Sequence, residues 1–257
     1  MTNTEYNGTE MLATMACSML EDGKSVFVGT GLPLIAGMLA QKTHAPGLLL
    51  FFEAGGIGSR VPELPISVGD SRTIYKAVSA SSMHDIMSLS QGGYVDYGFL
   101  GGAQIDMYGN LNTTVIGDHD KPKIRLPGSG GANDVASFSR RVIIIMRQSS
   151  RSFMEKLDFL TTPGYLDGPG AREKAGLPAG GGPYRVITQM AVYDFCPDTR
   201  RMRLKSLHPG TTVDQVKENS GFEIIIPDEI EESPTPTAEQ LRLLREEIDP
   251  KGMVIGK

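Results

Sequence analysis

The feature of this sequence that most constrains its fold is a short, uninterrupted apolar run at residues 48–52 (LLLFF). Pro46 and Gly47 precede this run, and Glu53 ends it just before the glycines at 55–56. An apolar run of this length between turn-forming residues is typical of a β-strand that is buried on both faces of a parallel sheet. Glu53 is therefore predicted to stand where such a strand ends.

Helical patterns alternate with further strand patterns along the chain. Apolar residues recur at helical spacing from Thr9, a possible cap, to near Gly23, and Pro33 suits the first position of a helix that runs to about Lys42. Strands are predicted at 25–28, 95–100, 112–116, 141–146, 185–190, 191–195 and 202–207, and helices at 135–139, 213–218 and 238–247. This alternation predicts an α/β fold with an open, mostly parallel or mixed sheet flanked by helices.

A chain of 257 residues with 40% hydrophobic residues is long enough to bury one substantial core. It shows no internal repeat and no clear interdomain linker. Pro234 and Pro236 form a short spacer before the last helical pattern. We therefore predict one domain over residues 1–257, in which 234–257 is a C-terminal helix and tail.

Composition argues against several classes of protein. The net charge of -5 gives no basic surface for neutralising phosphates, so nucleic-acid binding is not expected. The start of the sequence lacks the pattern of a signal peptide, and no run of about 18 apolar residues occurs that would span a membrane. With only Cys17 and Cys196, a disulfide scaffold or a thiolate metal cluster is not expected. A cytoplasmic enzyme fits this composition.

Glu53 is the leading candidate for a catalytic residue. In open α/β sheets, ligands bind in the crevice beyond the carboxyl ends of the strands, which is where Glu53 is predicted to lie. The residue stands between the aromatic pair at 51–52 and the glycines at 55–56, which let a substrate approach the backbone. The alternative is an ordinary strand-end glutamate that is solvated or salt-bridged.

A second candidate element is the glycine-rich segment 127–134 (PGSGGAND), which precedes the helical pattern at 135–139. Backbone N–H groups in such a loop, at the start of a helix, can stabilise an oxyanion. The segment is neither a Walker motif nor a dinucleotide fingerprint. The alternative is a simple turn.

Other motifs predict structure more than chemistry. Asp106 and the Gly109–Asn110 pair are consistent with a tight turn into the strand at 112–116. Gln104 is a candidate to line the cleft. The segment 117–120 (GDHD) invites a metal site, but no second ligand cluster accompanies it, so no metal is predicted.

Read together and in order, many segments resemble the β subunits of family I coenzyme A transferases of the glutaconate CoA-transferase type. The resemblance covers nearly the whole chain. It is carried by Glu53 at its strand end and by the segments 28–34, 65–70, 100–106, 108–110, 128–133, 162–170, 176–178, 218–222 and 244–250.

This resemblance implies an enzyme of two kinds of subunit, in which a homologous α subunit completes an active site and the assembly is an (αβ)n hetero-oligomer. Its substrates are an acyl-CoA and a carboxylic acid, with coenzyme A as a substrate and no tightly bound cofactor. The position of Glu53 matches the family's nucleophile, which forms a covalent glutamyl-CoA thioester. Gly130 and Gly131 match the oxyanion loop, and Gly29 and Gly31 are expected to border the cleft.

Two alternatives remain open. The same scaffold serves relatives that hydrolyse carbon–carbon bonds or decarboxylate acyl-CoA esters, although these relatives alter or displace the glutamate. A non-catalytic subunit that only binds an acyl-CoA is the other alternative. The stretch between Glu53 and Gly101 is shorter and less similar to the glutaconate type than its flanks, particularly over 74–93, so the acceptor acid stays open. The donor acid and the number of αβ pairs stay open as well.

Overall fold

The computed structural model describes residues 5–256. The chain divides into two compact units. Unit 1 consists of Met1–Phe99 and Thr235–Lys257, and unit 2 consists of Leu100–Pro234. The single domain over residues 1–257, with 234–257 as a C-terminal helix and tail, stays a prediction.

The helices and strands follow one another in the alternating order that the sequence predicts. The helices are α1 (Gly8–Ser18), α2 (Leu32–Lys42), α3 (Met83–Gln91), α4 (Ala132–Phe138), α5 (Ala171–Lys174), α6 (Val213–Glu218) and α7 (Ala238–Arg242). The strands are β1 (Ser25–Phe27), β2 (Leu49–Phe51), β3 (Gly56–Ile57), β4 (Ser79–Ala80), β5 (Tyr97–Leu100), β6 (Gln104–Ile105), β7 (Leu111–Asn112), β8 (Val115–Gly117), β9 (Pro122–Arg125), β10 (Arg141–Ile145), β11 (Pro183–Ile187), β12 (Ala191–Phe195), β13 (Met202–Leu207) and β14 (Glu231–Glu232).

The sheet of unit 1 has the strand order β5-β1-β2-β3-β4. Strand β1 is parallel to β2 and to β5, whereas β3 pairs antiparallel with β2 and β4. Leu48, Leu50 and Phe52 are fully buried, as the apolar run predicts for a central strand. Helices α1 and α2 pack against each other. The predicted α/β fold with a mixed sheet is confirmed.

The sheet of unit 2 has the order β14-β13-β12-β11-β10 and is also mixed. Two short hairpins, β6–β7 and β8–β9, accompany it. The prediction of one continuous strand over 112–116 is wrong. The side-chain oxygen of Asn112 accepts the N–H groups of Thr114, at 2.9 Å, and Val115, at 3.3 Å, and this Asx turn separates β7 from β8.

The ends of two helices also differ from prediction. Asn7, not Thr9, caps α1, because its side-chain oxygen accepts the N–H groups of Thr9 and Glu10 at 2.9 Å each. In turn, the N–H of Asn7 donates to the carboxylate of Glu10, which completes a capping box. The helix predicted over 238–247 is α-helical only to Arg242 and continues as a π-helix over Leu243–Ile248.

No helix among residues 5–256 is both long and apolar enough to cross a membrane.

Unit 2 buries a histidine in a network of hydroxyl groups. His208 is 4% exposed, and its Nε2 donates to the carbonyl of Thr188 at 2.9 Å. Its Nδ1 therefore accepts from the hydroxyl of Ser233, at 3.0 Å, which also bonds to the hydroxyl of Ser206 at 2.7 Å. These contacts satisfy the neutral ring, and burial lowers the pKa of His208 below its ordinary value of 6.5.

This buried imidazole predicts a pH dependence of stability. Because the folded-state pKa lies below the unfolded-state pKa, the unfolded chain binds the extra proton first as the pH falls. The free energy of unfolding should stay level above about pH 7.5 and fall below about pH 6.5, with a slope of at most about 1.4 kcal/mol per pH unit from this one group. Urea unfolding between pH 8 and 5 measures the effect.

The variant H208N removes the titrating group and should lose this part of the slope, although its stability at neutral pH will be lower. H84N removes an exposed imidazole from α3 and is the control. The same slope in H208N as in H84N would show that another group is responsible.

Candidate active site

Glu53 and Gly29 lie at matching places after two neighbouring parallel strands of unit 1. Phe27 in β1 pairs with Phe51 in β2, and the N–H of Val28 donates to the carbonyl of Phe51 at 3.0 Å. Gly29 lies two residues after Phe27, and Glu53 lies two residues after Phe51. Since the carboxyl ends of parallel strands meet at one edge of a sheet, the two predicted site residues stand at the same edge.

A tight turn fixes the position of Glu53. The N–H of Phe52 donates to the carbonyl of Gly56, and the N–H of Gly55 donates to the carbonyl of Phe52, both at 2.9 Å. Gly55 has a φ of 123°, and its carbonyl accepts the N–H of Ser81 at 2.9 Å. A Cβ at Gly55 would lie 1.9 Å from the Ser81 carbonyl oxygen, so the turn requires glycine there.

The carboxylate of Glu53 is partly exposed and makes no hydrogen bond or ion pair with any residue in the described range 5–256. Phe51 and Phe52, the two preceding residues, are 5% and 0% exposed. The alternative to a catalytic glutamate was an ordinary one that is solvated or salt-bridged. Within residues 5–256, the structure gives no support to a salt bridge. A carboxylate that no cation holds can approach an electrophile without first breaking an ion pair.

The turn from β1 into α2 follows the carboxyl end of β1 and leaves backbone N–H groups uncovered. Gly31 has φ 82° and ψ −141°, and its carbonyl accepts the N–H of Ile35 at 3.1 Å, at the start of α2. The N–H groups of residues 29–31 have no acceptor within the described chain. A Cβ at Gly29 or Gly31 would meet no atom within 4 Å, so both glycines border open space.

The glycine-rich segment lies in unit 2, where it forms an exposed loop before α4. The N–H groups of Ser129, Gly130 and Gly131 have no acceptor among residues 5–256. The loop is anchored at Gly128, whose N–H donates to the carbonyl of Thr113 at 2.8 Å. A Cβ at Gly130 would meet no atom within 4 Å. A partly exposed loop with three successive free N–H donors can bind an anionic oxygen.

Gln104, the other predicted binding residue, is 3% exposed. Its amide nitrogen donates to the carboxylate of Asp158 at 2.8 Å, and its amide oxygen accepts from Asn112 at 2.7 Å and from the N–H of Asp158 at 3.1 Å. Hydrogen bonds from the backbone N–H of Gly117 and from the side chain of Gln104 lower the pKa of Asp158. These bonds tie the β6–β7 hairpin to residue 158, so the contacts favour a structural part for Gln104 over contact with a substrate.

Arg172 is a buried cation that links two segments of unit 2. It is 2% exposed, and its guanidinium donates to the carbonyls of Pro163 and Gly164 and to those of Ala136 and Ser137 in α4. Burial lowers its pKa. Sequence reasoning did not identify this residue, because the carbonyls that it binds come from two distant segments.

The segment 117–120 forms a turn. The carboxylate of Asp118 accepts the N–H groups of Asp120 and Lys121 at 2.8 and 3.1 Å, and the ring of His119 stacks on Phe159 with 5.2 Å between ring centroids. Within residues 5–256, no group of three or more His, Cys, Asp and Glu side chains is arranged to hold a metal ion.

A strand-end carboxylate without an ion pair is the kind of group that acts as a nucleophile in covalent catalysis, and free N–H donors are the kind that stabilise an oxyanion. Comparison with known proteins identifies the family. A family model described as Coenzyme A transferase matches residues 9–219. The chain therefore belongs to the coenzyme A transferase family.

Two curated relatives match along nearly the whole chain. The B subunit of 3-oxoadipate CoA-transferase from Pseudomonas knackmussii is 42% identical over 241 residues, which are 93% of this chain and 92% of the relative. The B subunit of glutaconate CoA-transferase from Acidaminococcus fermentans is 40% identical over 253 residues, 96% of this chain and 94% of the relative. The crystal structure of the Acidaminococcus enzyme matches with a TM-score of 0.94 and 38% identity, covering 99% of each chain.

A relative with a different activity is more distant. The cholesterol ring-cleaving hydrolase IpdB subunit of Rhodococcus jostii is 28% identical over 269 residues, 98% of this chain and 96% of the relative. The transferase subunits at 40–42% identity support the transferase interpretation over the hydrolase alternative.

Proposed function

We propose that this chain is the β subunit of an enzyme that moves coenzyme A between an acyl-CoA and a carboxylic acid, with Glu53 as the nucleophile. The observation that carries the proposal is the free carboxylate of Glu53 at the carboxyl edge of β2, beside the open turn at residues 29–31. Membership of the coenzyme A transferase family supports the reaction type.

In the proposed reaction, a carboxylate oxygen of Glu53 attacks the thioester carbonyl of the acyl-CoA. The C–S bond breaks, which gives an acyl-glutamyl anhydride and the CoA thiolate. The thiolate then attacks the glutamyl carbonyl and releases the donor acid as its carboxylate, leaving a glutamyl-CoA thioester. An incoming carboxylate then attacks the glutamyl-CoA thioester, which gives a new acyl-glutamyl anhydride and the CoA thiolate. The thiolate attacks the acyl carbonyl of this anhydride, which releases the new acyl-CoA and the carboxylate of Glu53. No proton is transferred overall, and no tightly bound cofactor is required.

Each attack places negative charge on a carbonyl oxygen, and fixed donors must stabilise that charge. The N–H groups of Gly130 and Gly131 are proposed for this part, because neither has an acceptor among residues 5–256 and both residues are at least partly exposed. Gly29 and Gly31 are proposed to let the substrate approach the backbone at the edge that carries Glu53. The side-chain bonds of Gln104 to Asp158 and Asn112 hold the β6–β7 hairpin, which supports a structural part for this residue.

The class of substrate is proposed from the relatives. The two transferases that this chain resembles are named for 3-oxoadipate and for glutaconate, so we propose that the acceptor or donor is a dicarboxylic acid. Both relatives are named as B subunits, which supports an α subunit as partner and an (αβ)n assembly. Cys17 and Cys196 are both unpaired, as is usual for proteins of the reducing cytoplasm, and a cytoplasmic location is part of the proposal.

The proposal predicts ping-pong kinetics for the chain co-expressed with an α subunit. Initial rates measured with 3-oxoadipate, glutaconate, succinate and acetate as acceptors should give parallel double-reciprocal plots, because the donor acid leaves before the acceptor binds. At least one dicarboxylate should be preferred over acetate. The purified chain without its partner is the control and should transfer no CoA. Release of free CoA that is independent of any acceptor would instead indicate hydrolysis of the thioester.

A further inference from the structure

We infer that Thr161 and Thr113 are positioning residues that hold the N–H groups of the loop at residues 128–131 in the orientation that the oxyanion requires. This inference rests on the proposed function, since it assigns residues that serve the proposed oxyanion site. Neither threonine was identified from the sequence. Both lie in unit 2 with the loop, as do the residues that connect them to it.

The start of the loop is held by Thr113. The N–H of Gly128 donates to the carbonyl of Thr113, and the hydroxyl of Thr113 donates to the carbonyl of Gly128, both at 2.8 Å. The two peptide groups that flank Gly128 are thus fixed by one residue. Because Gly128 has a φ of 91°, the direction in which the chain enters the loop depends on these two bonds.

Thr161 connects this clamp to the other end of the loop. Its hydroxyl accepts the N–H of Thr113 at 2.9 Å and bonds to the hydroxyl of Thr114 at 2.7 Å. Its carbonyl accepts the side-chain amide of Asn133, at 3.0 Å, and the N–H of Asn133 donates to the hydroxyl of Ser129 at 3.2 Å. Thr161 is 6% exposed, so its hydroxyl contacts protein rather than bulk water.

The loop needs such support because its other hydrogen bonds within residues 5–256 are local, from the N–H groups of Ala132 and Asn133 to Ser129 and from Val135 to Gly131. Residues 128–131 are partly or fully exposed, and their glycines have more conformational freedom than other residues. A donor stabilises a transition state only if it already points to the place where charge develops, and a misplacement of about 1 Å can cost about 100-fold in rate. Thr161 and Thr113 therefore act on catalysis through the loop, without contacting the substrate.

The alternative is that these hydroxyls contribute only to stability, and T161V with a matched control separates the two. T161V keeps the shape and the carbonyl of Thr161 but removes the hydroxyl bonds to residues 113–114. The control is T14V, since Thr14 is 5% exposed and its hydroxyl bonds to the carbonyls of Glu10 and Met11 at 3.0 Å each, in α1 of unit 1. Both variants lose a buried hydroxyl and should lose similar stability.

We expect T161V in the assembled αβ complex to lower kcat about 10- to 100-fold, with KM for the acyl-CoA changed less than about threefold. T14V should stay within about threefold of the wild type. T161S, which restores the hydroxyl, should recover most of the lost rate. Rapid quenching and mass spectrometry of the glutamyl-CoA thioester should show slower formation in T161V. T113V removes the hydroxyl bond to Gly128 and should slow the same step. It replaces T161V as the test variant if T161V does not assemble with the α subunit.

G131P distinguishes a failure of this inference from a failure of the proposed function. Gly131 has a φ of −79°, close to the value that a proline ring imposes, so the substitution removes its N–H while its own φ is kept. Loss of this donor should lower kcat about 100- to 1,000-fold. If G131P is slow but folded T161V and T113V match T14V, the positioning inference is overturned. If G131P is as fast as the wild type, the oxyanion role of the loop is overturned as well.

Discussion

Replacement of Glu53 by glutamine should abolish CoA transfer by the αβ complex, with a fall in kcat of about 10⁴-fold or more. The amide has nearly the shape of the carboxylate, but it carries no charge and cannot form the anhydride or the glutamyl-CoA thioester. Since the carboxylate of Glu53 makes no hydrogen bond or ion pair within residues 5–256, its loss should leave the fold intact. Initial rates of transfer, with CD spectra and the size of the complex, measure both expectations.

Glu155 supplies the control for this substitution. It is an exposed glutamate of unit 2, outside the elements assigned to the site, and E155Q should transfer CoA at the wild-type rate. Steady-state activity in E53Q and E53A equal to that in E155Q would favour the alternative of a subunit that binds an acyl-CoA without reacting with it.

Replacement of Gly55 by alanine should destabilise the turn that carries Glu53 by about 3 kcal/mol or more. The new Cβ would lie 1.9 Å from the carbonyl oxygen of Ser81, and Gly55 has a φ of 123° that other residues rarely adopt. Relief requires the turn and the chain at Ser81 to move apart, which breaks the bond from the Ser81 N–H to Gly55 and displaces Glu53. Urea unfolding should show the lower stability, and any folded G55A complex should be nearly inactive.

The control for this effect is G23A, also in unit 1. Gly23 has a φ of 70°, but a Cβ there would meet no atom within 4 Å. G23A therefore bears only the backbone cost of a left-handed residue, about 1 kcal/mol, and should remain active. A G55A variant as stable and as active as G23A would show that Glu53 does not depend on this turn.

The sequence predicted the elements that depend on local pattern. The apolar run at 48–52 gave a buried strand, because a strand covered on both faces needs apolar residues at every position. Its end placed Glu53 at the carboxyl edge of the sheet, and the strand, turn and helix around Gly29 and Gly31 were predicted by the same means. The ordered family motifs then favoured the nucleophile over an ordinary surface glutamate.

What the sequence did not predict depends on hydrogen bonds whose partners only the fold reveals. An Asx turn at Asn112 breaks a stretch that reads as one strand, since one side-chain oxygen takes the N–H groups that a strand would use. Thr161 bonds to Thr113 across 48 positions of sequence, and Gln104 bonds to Asp158 across 54. Threonine and glutamine are common surface residues, and no spacing marks these two as buried and fully bonded.

A Glu53 nucleophile becomes covalently attached to coenzyme A during turnover, and chemical trapping can capture this intermediate. The αβ complex is incubated with an acyl-CoA, treated with borohydride or hydroxylamine, digested and analysed by mass spectrometry. We predict that the peptide containing Glu53 carries the reduced or hydroxamate side chain only when acyl-CoA was present, and that E53Q carries neither. A complex that transfers CoA while Glu53 remains unmodified would contradict the mechanism.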